Sequence, residues 1–257
     1  MNIVICIKPI KASLLNKSSI REYVINYFDL YALQEINRYK LEGHITVTGV
    51  IMGRVDCRMM AEIKYLGVDE IILICDPCYA GSDTYATTYV LCNAISKINN
   101  VDWIVCGDHS MDGETGHVGP SIARRLDLPY ISGVMSIKVE DETLNVSIHT
   151  NGKEQLYRLN EKSVLSFGEF SLKDIVLPLK AVRRINTVEY KLLTNEDLRL
   201  DISQCGLEGS KTKVVRTRKI EHSPDKENYI VNVNDLDNYS NAVSILKGEY
   251  NHEPVFT

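Results

Sequence analysis

The residues best equipped for chemistry lie in one glycine-rich stretch, Asp112-Gly-Glu-Thr-Gly-His-Val-Gly-Pro-Ser-Ile-Ala123. Gly113, Gly116 and Gly119 let backbone approach an anion closely, and Thr115 offers a hydroxyl. Pro120 suits the first turn of a helix whose leading amides point outward. These are the parts of a phosphate cradle, although the spacing matches neither the GxGxxG nor the Walker pattern. An ordinary glycine-rich loop between strand and helix fits the same letters. A second stretch, Ala80-Gly-Ser-Asp-Thr-Tyr-Ala-Thr87, follows an apolar run ending at Cys75. Ser82 or Asp83 is a natural N-cap there, and Thr84 and Thr87 fall on a common helix face. Two helix starts could then frame one phosphate group, while capping alone accounts for the same residues. A third stretch, Asn26-Tyr-Phe-Asp-Leu-Tyr-Ala-Leu33, also opens a helix, with Asp29 as the expected N-cap.

Other candidates carry less. Cys75-Asp-Pro-Cys78 invites a zinc or redox reading, but a zinc site needs about four ligands and no second pair is present. A redox pair of the thioredoxin type belongs at a helix start. His109 and His117 flank the glycine-rich loop and read as surface or capping residues, and no Ser/His/Asp order is defensible. The basic run Lys211, Lys213, Arg216, Arg218 and Lys219 reads as a solvated or partner-facing strip, since the chain as a whole is acidic.

The elements that must position these residues alternate. Ile3–Ile7, Ile45–Met52, Glu70–Cys75 and Asp102–Cys106 are continuous apolar runs, as buried parallel strands require. Between them, Leu30, Leu33, Ile36 and Leu41, then Met59, Met60, Ile63 and Leu66, then Tyr85, Tyr89, Cys92 and Ile95 recur at helical spacing. That order predicts a doubly wound, mostly parallel α/β sheet, with ligands beyond the carboxyl ends of the strands where strand order reverses. Ile131–Val139, Leu144–His149, Gln155–Leu159 and Ser163–Phe167, joined by turns such as Asn151-Gly152, read as an antiparallel extension. Beyond about residue 200 the chain becomes polar and reads as an extended C-terminal arm.

With 257 residues the chain is long enough to bury a sizeable core without disulfide staples. Its 29 basic against 34 acidic residues leave a charge of −5, which disfavours a basic nucleic-acid binder. No window approaches the roughly 18 apolar residues of a membrane span, and the apolar run in MNIVICIKPIK is too short for a secretion signal. A cytoplasmic location follows as an expectation. Seven cysteines, an odd number scattered through apolar contexts, read mostly as reduced core thiols.

Taken in order and spacing, Ile3-Val-Ile-Cys-Ile-Lys8, Asp29-Leu-Tyr-Ala-Leu33, Asp76-Pro77 with Ala80–Thr87, and Asp112–Pro120 resemble the electron-transfer flavoprotein β subunit family. Cys205-Gly-Leu-Glu-Gly-Ser210 followed by Lys213-Val-Val215 is similar to the branch that includes bifurcating and nitrogen-fixation flavoproteins. The resemblance covers most of residues 1–220. It implies an adenine-nucleotide α-hydrolase-like fold, with residues 1–200 as the nucleotide-binding domain and 201–257 as an arm packing on the partner subunit. It also implies a heterodimer with an α subunit that carries FAD, while the β site holds AMP or a second FAD; the bifurcating-branch motifs favour FAD. The protein would be an electron carrier serving an acyl-CoA dehydrogenase-type partner, with the chemistry done by flavin rather than by a general base.

By motif position, the pocket implied is lined by Cys6, Asn26, Tyr27, Phe28, Asp29 and Met52. Asp112, Gly113, Glu114, Thr115, Gly116, His117, Val118, Gly119, Pro120, Ser121, Ile122 and Ala123 complete it, with Asp83, Thr84 and Thr87 added for a dinucleotide. Leu177-Pro178, followed by Lys180, Arg183 and Arg184, resembles the docking loop that presents a leucine, here Leu177, to the dehydrogenase. The chain departs from the family at Tyr27, where proline is usual, at Lys8-Pro-Ile-Lys11, and at His117, where glutamine is usual. The altered Lys8–Lys11 loop weakens the inference of direct NADH oxidation. A non-redox adenylate-binding regulatory module, or a scaffold subunit with an empty site, is the alternative on the same α/β sheet.

Overall fold

The structure is a computed structural model that describes residues 1–15, 22–40, 45–140, 143–150, 153–168, 178 and 187–213. Its centre is β1 (Asn2–Ile7), where Ile3, Ile5 and Ile7 join the apolar core on one face and Val4 and Cys6 the core on the other. A strand buried on both faces belongs in the middle of a sheet. On one side β1 pairs with β4 (Thr46–Met52), which pairs with β5 (Glu70–Ile74). On the other it pairs with β6 (Trp103–Gly107), and all these pairings are parallel.

The two cores are covered by different helices. α1 (Tyr27–Lys40) buries Leu30, Leu33 and Ile36, and α2 (Cys57–Tyr65) buries Met59, Met60 and Ile63, all against the Ile3/Ile5/Ile7 face. Asp56 caps α2 by accepting the Met59 N–H at 2.7 Å. α3 (Thr84–Ile95) and α4 (Val118–Leu126) cover the opposite face. The buried stripe of α3 is Ala86, Val90, Leu91, Cys92, Ala94 and Ile95, whereas Tyr85, expected inward, is 43% exposed. Its ring lies under the Arg125 guanidinium at 4.4 Å and near Lys211 Nζ at 5.1 Å, a stack that keeps an aromatic at the surface.

The second half corrects the expectation of a uniform antiparallel extension. β7 (Tyr130–Glu140), β8 (Thr143–Thr150) and β9 (Lys153–Leu159) do pair antiparallel. β10 (Ser163–Phe167), however, inserts between β6 and β7 and runs parallel to both. Every residue of β10 is buried, and only a central position covers both of its faces. β11 (Lys191–Leu193) adds a parallel edge beside β5, giving the order β11-β5-β4-β1-β6-β10-β7-β8-β9. A separate two-stranded antiparallel sheet, β2 (Pro9–Lys11) with β3 (Tyr23–Ile25), was not expected either. Both β2 and β11 are three residues long, too short to show a period.

The chain winds outward from β1 through β4 to β5, then returns across β1 to β6, so strand order reverses between β1 and β6. Residues 1–213 form one compact unit. In the Cys75-Asp-Pro-Cys78 segment, Asp76 accepts the Cys78 N–H and the Asn195 N–H, each at 2.9 Å, so its carboxylate ties that turn to the segment after β11. Those donors hold the Asp76 carboxyl below its ordinary pKa. Among the described residues, no helix is long and apolar enough to cross a membrane. Asn151-Gly152, Leu177, Lys180, Arg183, Arg184 and the basic residues beyond Lys213 lie outside the described residues.

Candidate functional site

β1 and β6 end side by side at the point where strand order reverses, which is where an α/β sheet forms its ligand crevice. Its floor is Asp29. One carboxylate oxygen accepts the Lys8 N–H at 2.8 Å and the other the Gly107 N–H at 2.8 Å, so a single side chain joins both strand ends. Asp29 therefore is not the N-cap of α1. Asn26 holds that position, its carbonyl accepting the Leu30 N–H at 2.8 Å, and Asp29 sits inside the first turn. Burial pushes the Asp29 carboxyl up to about 6, against the lowering effect of the two backbone amides. Gly107 has to be glycine, because a Cβ there would stand 2.5 Å from Asp29 Oδ1 and 2.6 Å from Phe28 Cβ.

Asn26, also buried, reaches across to the loop after β6. Its Nδ2 donates to the His109 carbonyl at 2.8 Å and its Oδ1 accepts the Met111 N–H at 3.1 Å. The Phe28 and His109 rings pack at 5.7 Å between centroids. Asp108 is held by Ser166, whose Oγ donates to Oδ1 at 2.8 Å, and Ser166 in turn pairs with the Tyr130 hydroxyl at 2.7 Å. Burial pushes the Tyr130 hydroxyl up to about 12. The other Asp108 oxygen lies 3.2 Å from His109 Nδ1.

The glycine-rich loop rises from this base. Lys8 Nζ pairs with Asp112 at 2.5 Å and donates to Ser110 Oγ at 3.2 Å. Partial burial would raise the Asp112 carboxyl, but the Lys8 ammonium overrides it and holds the group below its ordinary value. Gly113, Glu114 and Thr115 are exposed. Gly116 has φ +63°, and a Cβ on it would lie 3.1 Å from His109 Nε2. Glu114 carries φ +49°, a left-handed conformation uncommon outside glycine. His117 takes the N-cap position of α4 without a side-chain capping bond, and Ser121 donates its N–H back to the His117 carbonyl at 3.1 Å. The first-turn amides around Val118 and Gly119 have no intrahelical acceptor. Gly119 is packed against Tyr130 and Cys106, where a Cβ would meet ring and sulfur at 2.9 and 3.0 Å.

The third helix start joins the same edge. Thr84 Oγ1 and Thr115 Oγ1 are 3.3 Å apart, and Arg125 Nη2 of α4 donates to the Tyr85 carbonyl at 3.2 Å. Asp83 caps α3 through the Ala86 N–H at 3.0 Å. Its second oxygen is taken by Thr212, whose N–H and hydroxyl donate at 2.8 and 3.0 Å. Thr87 lies in the following turn, its N–H on the Asp83 carbonyl.

The structure thus brings Asn26, Phe28, Asp29, Thr84, Asp112 and Thr115 into one linked set. Tyr27 opens α1 and is half-buried, and Pro120 is half-buried in the first turn of α4. Cys6, Ile122 and Ala123 sit in the core behind the crevice, and Met52 packs against that core from the end of β4. Burial, with the Asp29 charge adding to it, pushes the Cys6 thiol far up, so it remains a neutral packing group. Sequence reasoning missed Gly107, Asp108, Ser166 and Thr212, and it gave His109 only a surface or capping role. A glycine closing an apolar strand was the available signal for Gly107; nothing local marks the other three.

Fold and crevice define a doubly wound α/β domain with its loops gathered at the switch point. The electron transfer flavoprotein domain matches residues 18–163, and the chain belongs to that family. It is 33% identical over 232 residues to the electron transfer flavoprotein subunit beta of Thermoanaerobacterium thermosaccharolyticum, covering 84% of this chain and 87% of that one. It is 34% identical over 206 residues to the protein FixA of Azotobacter vinelandii, covering 74% and 71%. It is 26% identical over 236 residues to the acryloyl-CoA reductase electron transfer subunit gamma of Anaerotignum propionicum, covering 84% and 88%. Two of these relatives, the first and the third, are named for electron transfer.

Proposed function

We propose that this chain is the small, β-type subunit of a heterodimeric electron transfer flavoprotein and that the crevice between β1 and β6 holds an adenine nucleotide, FAD in preference to AMP. The observation that carries the reading is the linkage of three turns at one sheet edge: Asn26 to His109 and Met111, Lys8 to Asp112, and Thr84 to Thr115. The residues present fit such a ligand. Gly116 at positive φ keeps side-chain atoms out of the loop, a Cβ on Gly113 would meet nothing nearer than Ser110 Oγ at 3.5 Å, and the first-turn amides of α4, which lack intrahelical acceptors, favour negative charge.

Asn26–Asp29, Cys6 and Met52 would shape the adenylate end, and Asp112–Pro120 would supply the phosphate-binding backbone. Thr84 and Thr87 would extend the site toward a second phosphate, which is the reason for preferring FAD. The flavin, when bound, supplies the redox chemistry. The role of the chain's own residues is to bind and orient it: Asp29 fixes the floor, Asn26 fixes the loop, and the Lys8–Asp112 pair offsets one acidic charge beside the phosphates. An α subunit and an acyl-CoA dehydrogenase-type donor or acceptor complete the proposal, in the cytoplasm, with flavin-based bifurcation as an extension of it. The relative named as an acryloyl-CoA reductase subunit favours that class of partner.

Releasing and chromatographing the nucleotides of the purified complex tests the reading. Two FAD per heterodimer is the expected result. One FAD with one AMP would move the assignment of this site to AMP, and a chain that binds adenylate but recruits no flavoprotein subunit would overturn the carrier role.

A further inference from the structure

We propose that residues 206–212 form a clasp on the head of α3 and that Ser210 and Thr212, acting through Asp83, are positioning residues for the nucleotide site. The inference rests on the reading of the crevice just given. Several hydrogen bonds tie the segment to residues 80–83. Leu207 donates its N–H to the Ala80 carbonyl at 3.0 Å, and Asp83 donates its own N–H to Ser210 Oγ at 2.8 Å. The Ser210 hydroxyl proton is directed at the Gly206 carbonyl, 2.7 Å away, with the Gly81 carbonyl at 3.2 Å. Thr212 closes the set with two donors on Asp83 Oδ2.

Placement of the clasp is dictated rather than incidental. Gly206 has φ +57°, and a Cβ on it would stand 2.3 Å from the Cys78 carbonyl oxygen, so the segment lies flush against residues 78–80 only because that side chain is missing. Cys205, 1% exposed, anchors the near end in the core, and Lys211 lies against the Tyr85 ring at the far end. Two groups of one residue are thus held from the same segment, the Asp83 N–H by the buried Ser210 and the Asp83 carboxylate by Thr212.

Asp83 divides its two oxygens. Oδ1 faces into α3 and caps it, while Oδ2 faces out to Thr212. The carboxylate therefore belongs to the protein's own bonding and is not a ligand contact; what it controls is the position of the next residue. Thr84 is the point at which α3 touches the glycine-rich loop, through Thr115. A nucleotide spanning both turns binds best when their separation is fixed, and an interaction that fixes it raises affinity without touching the ligand. By linkage, occupancy of the crevice must in turn tighten the clasp.

The test uses the full chain in the complex in which it purifies, with FAD and AMP as probes. Thr212→Val and Ser210→Ala each remove a hydroxyl, and Thr212→Ser restores one. The two deletions are expected to weaken binding of the resident nucleotide roughly 5-fold, the scale of one lost hydrogen bond, with Thr212→Ser close to the parent. In the unaltered protein, adding the nucleotide should slow hydrogen exchange at the Asp83 and Thr212 amides. Unchanged affinity in both deletions overturns the proposal, as does unchanged exchange at those amides, a measurement that needs no variant. If the unaltered complex binds neither FAD nor AMP, the reading of the crevice itself falls, and the clasp role falls with it.

Discussion

Two helices begin at the same sheet edge with an aspartate in reach, and the two carboxylates have opposite electrostatic fates. Asp29, at the head of α1, is 4% exposed, bridges the ends of β1 and β6, and is pushed up to about 6 by burial. At the head of α3, burial is the largest single influence on Asp83 and raises its carboxyl, but the donors from Ala86 and Thr212 together outweigh it and leave the group below its ordinary value. The lesson is that a carboxylate's role follows from how much water it loses against how many donors it gains. Asp29 is a fixed floor, costly to keep ionised and bonded to backbone that cannot move. Asp83 is a wall joint, inexpensive to ionise and bonded to a segment remote in sequence.

The largest effect that would sharpen this contrast comes from Asp29→Ala, which strands two part-buried amides at the strand ends and should cost about 3 kcal/mol. Its pH dependence has a definite sign. A carboxyl whose folded pKa of about 6 exceeds the ordinary 3.8 contributes stability that is complete below the lower value and lost as pH rises through the upper. Urea melts of parent and variant should therefore differ more at pH 4.5 than at pH 8; an equal difference at both would place Asp29 in a solvated setting. Next in size is Gly107→Ala, whose Cβ has no room between Asp29 and Phe28, and which should lose about 2 kcal/mol and loosen the crevice floor.

Asp83→Ala removes a helix cap and a clasp partner and should cost about 1–2 kcal/mol, measured by thermal or urea unfolding near neutrality. Here the sign reverses. Because the folded pKa is depressed, the contribution is present above pH 3.8 and is lost as pH falls through the folded value, so the variant and parent should converge in acid. Should Asp83→Ala instead behave like Asp29→Ala, the distinction between floor and joint collapses. The smallest change is Lys8→Met, which breaks a half-exposed ion pair with Asp112 and should cost less than about 1 kcal/mol, an effect that added salt diminishes.

Much of the frame was legible in the residues. Ile3–Ile7, Glu70–Cys75 and Asp102–Cys106 are apolar runs without alternation, and that pattern alone requires two covered faces. The spacing of Met59, Met60 and Ile63 required one covered helix face. Ser163–Phe167 was legible as a strand but not in direction, since a five-residue apolar run is the same whether its neighbours run parallel or antiparallel. Tyr85 was misread because an aromatic at helical spacing looks like core; only the cations from α4 and from Lys211 explain its exposure. The glycine-rich loop and the Thr84 turn were found, yet their distance from one another was not, because the helix and strand between them decide it.

The order of residues by itself determined that strands and helices would alternate, that loops rich in glycine and hydroxyls would follow the strands, and that a family signature would run through them. Hydrophobic period and backbone permissiveness are local properties, readable from neighbours within one or two helical turns. Only the tertiary structure decided that Asp29 would lie between two strand ends and that Thr212 would reach back to Asp83. Whether a carboxylate is starved of water or supplied with donors depends on chain segments far away in sequence, and that pairing is fixed when the sheet assembles.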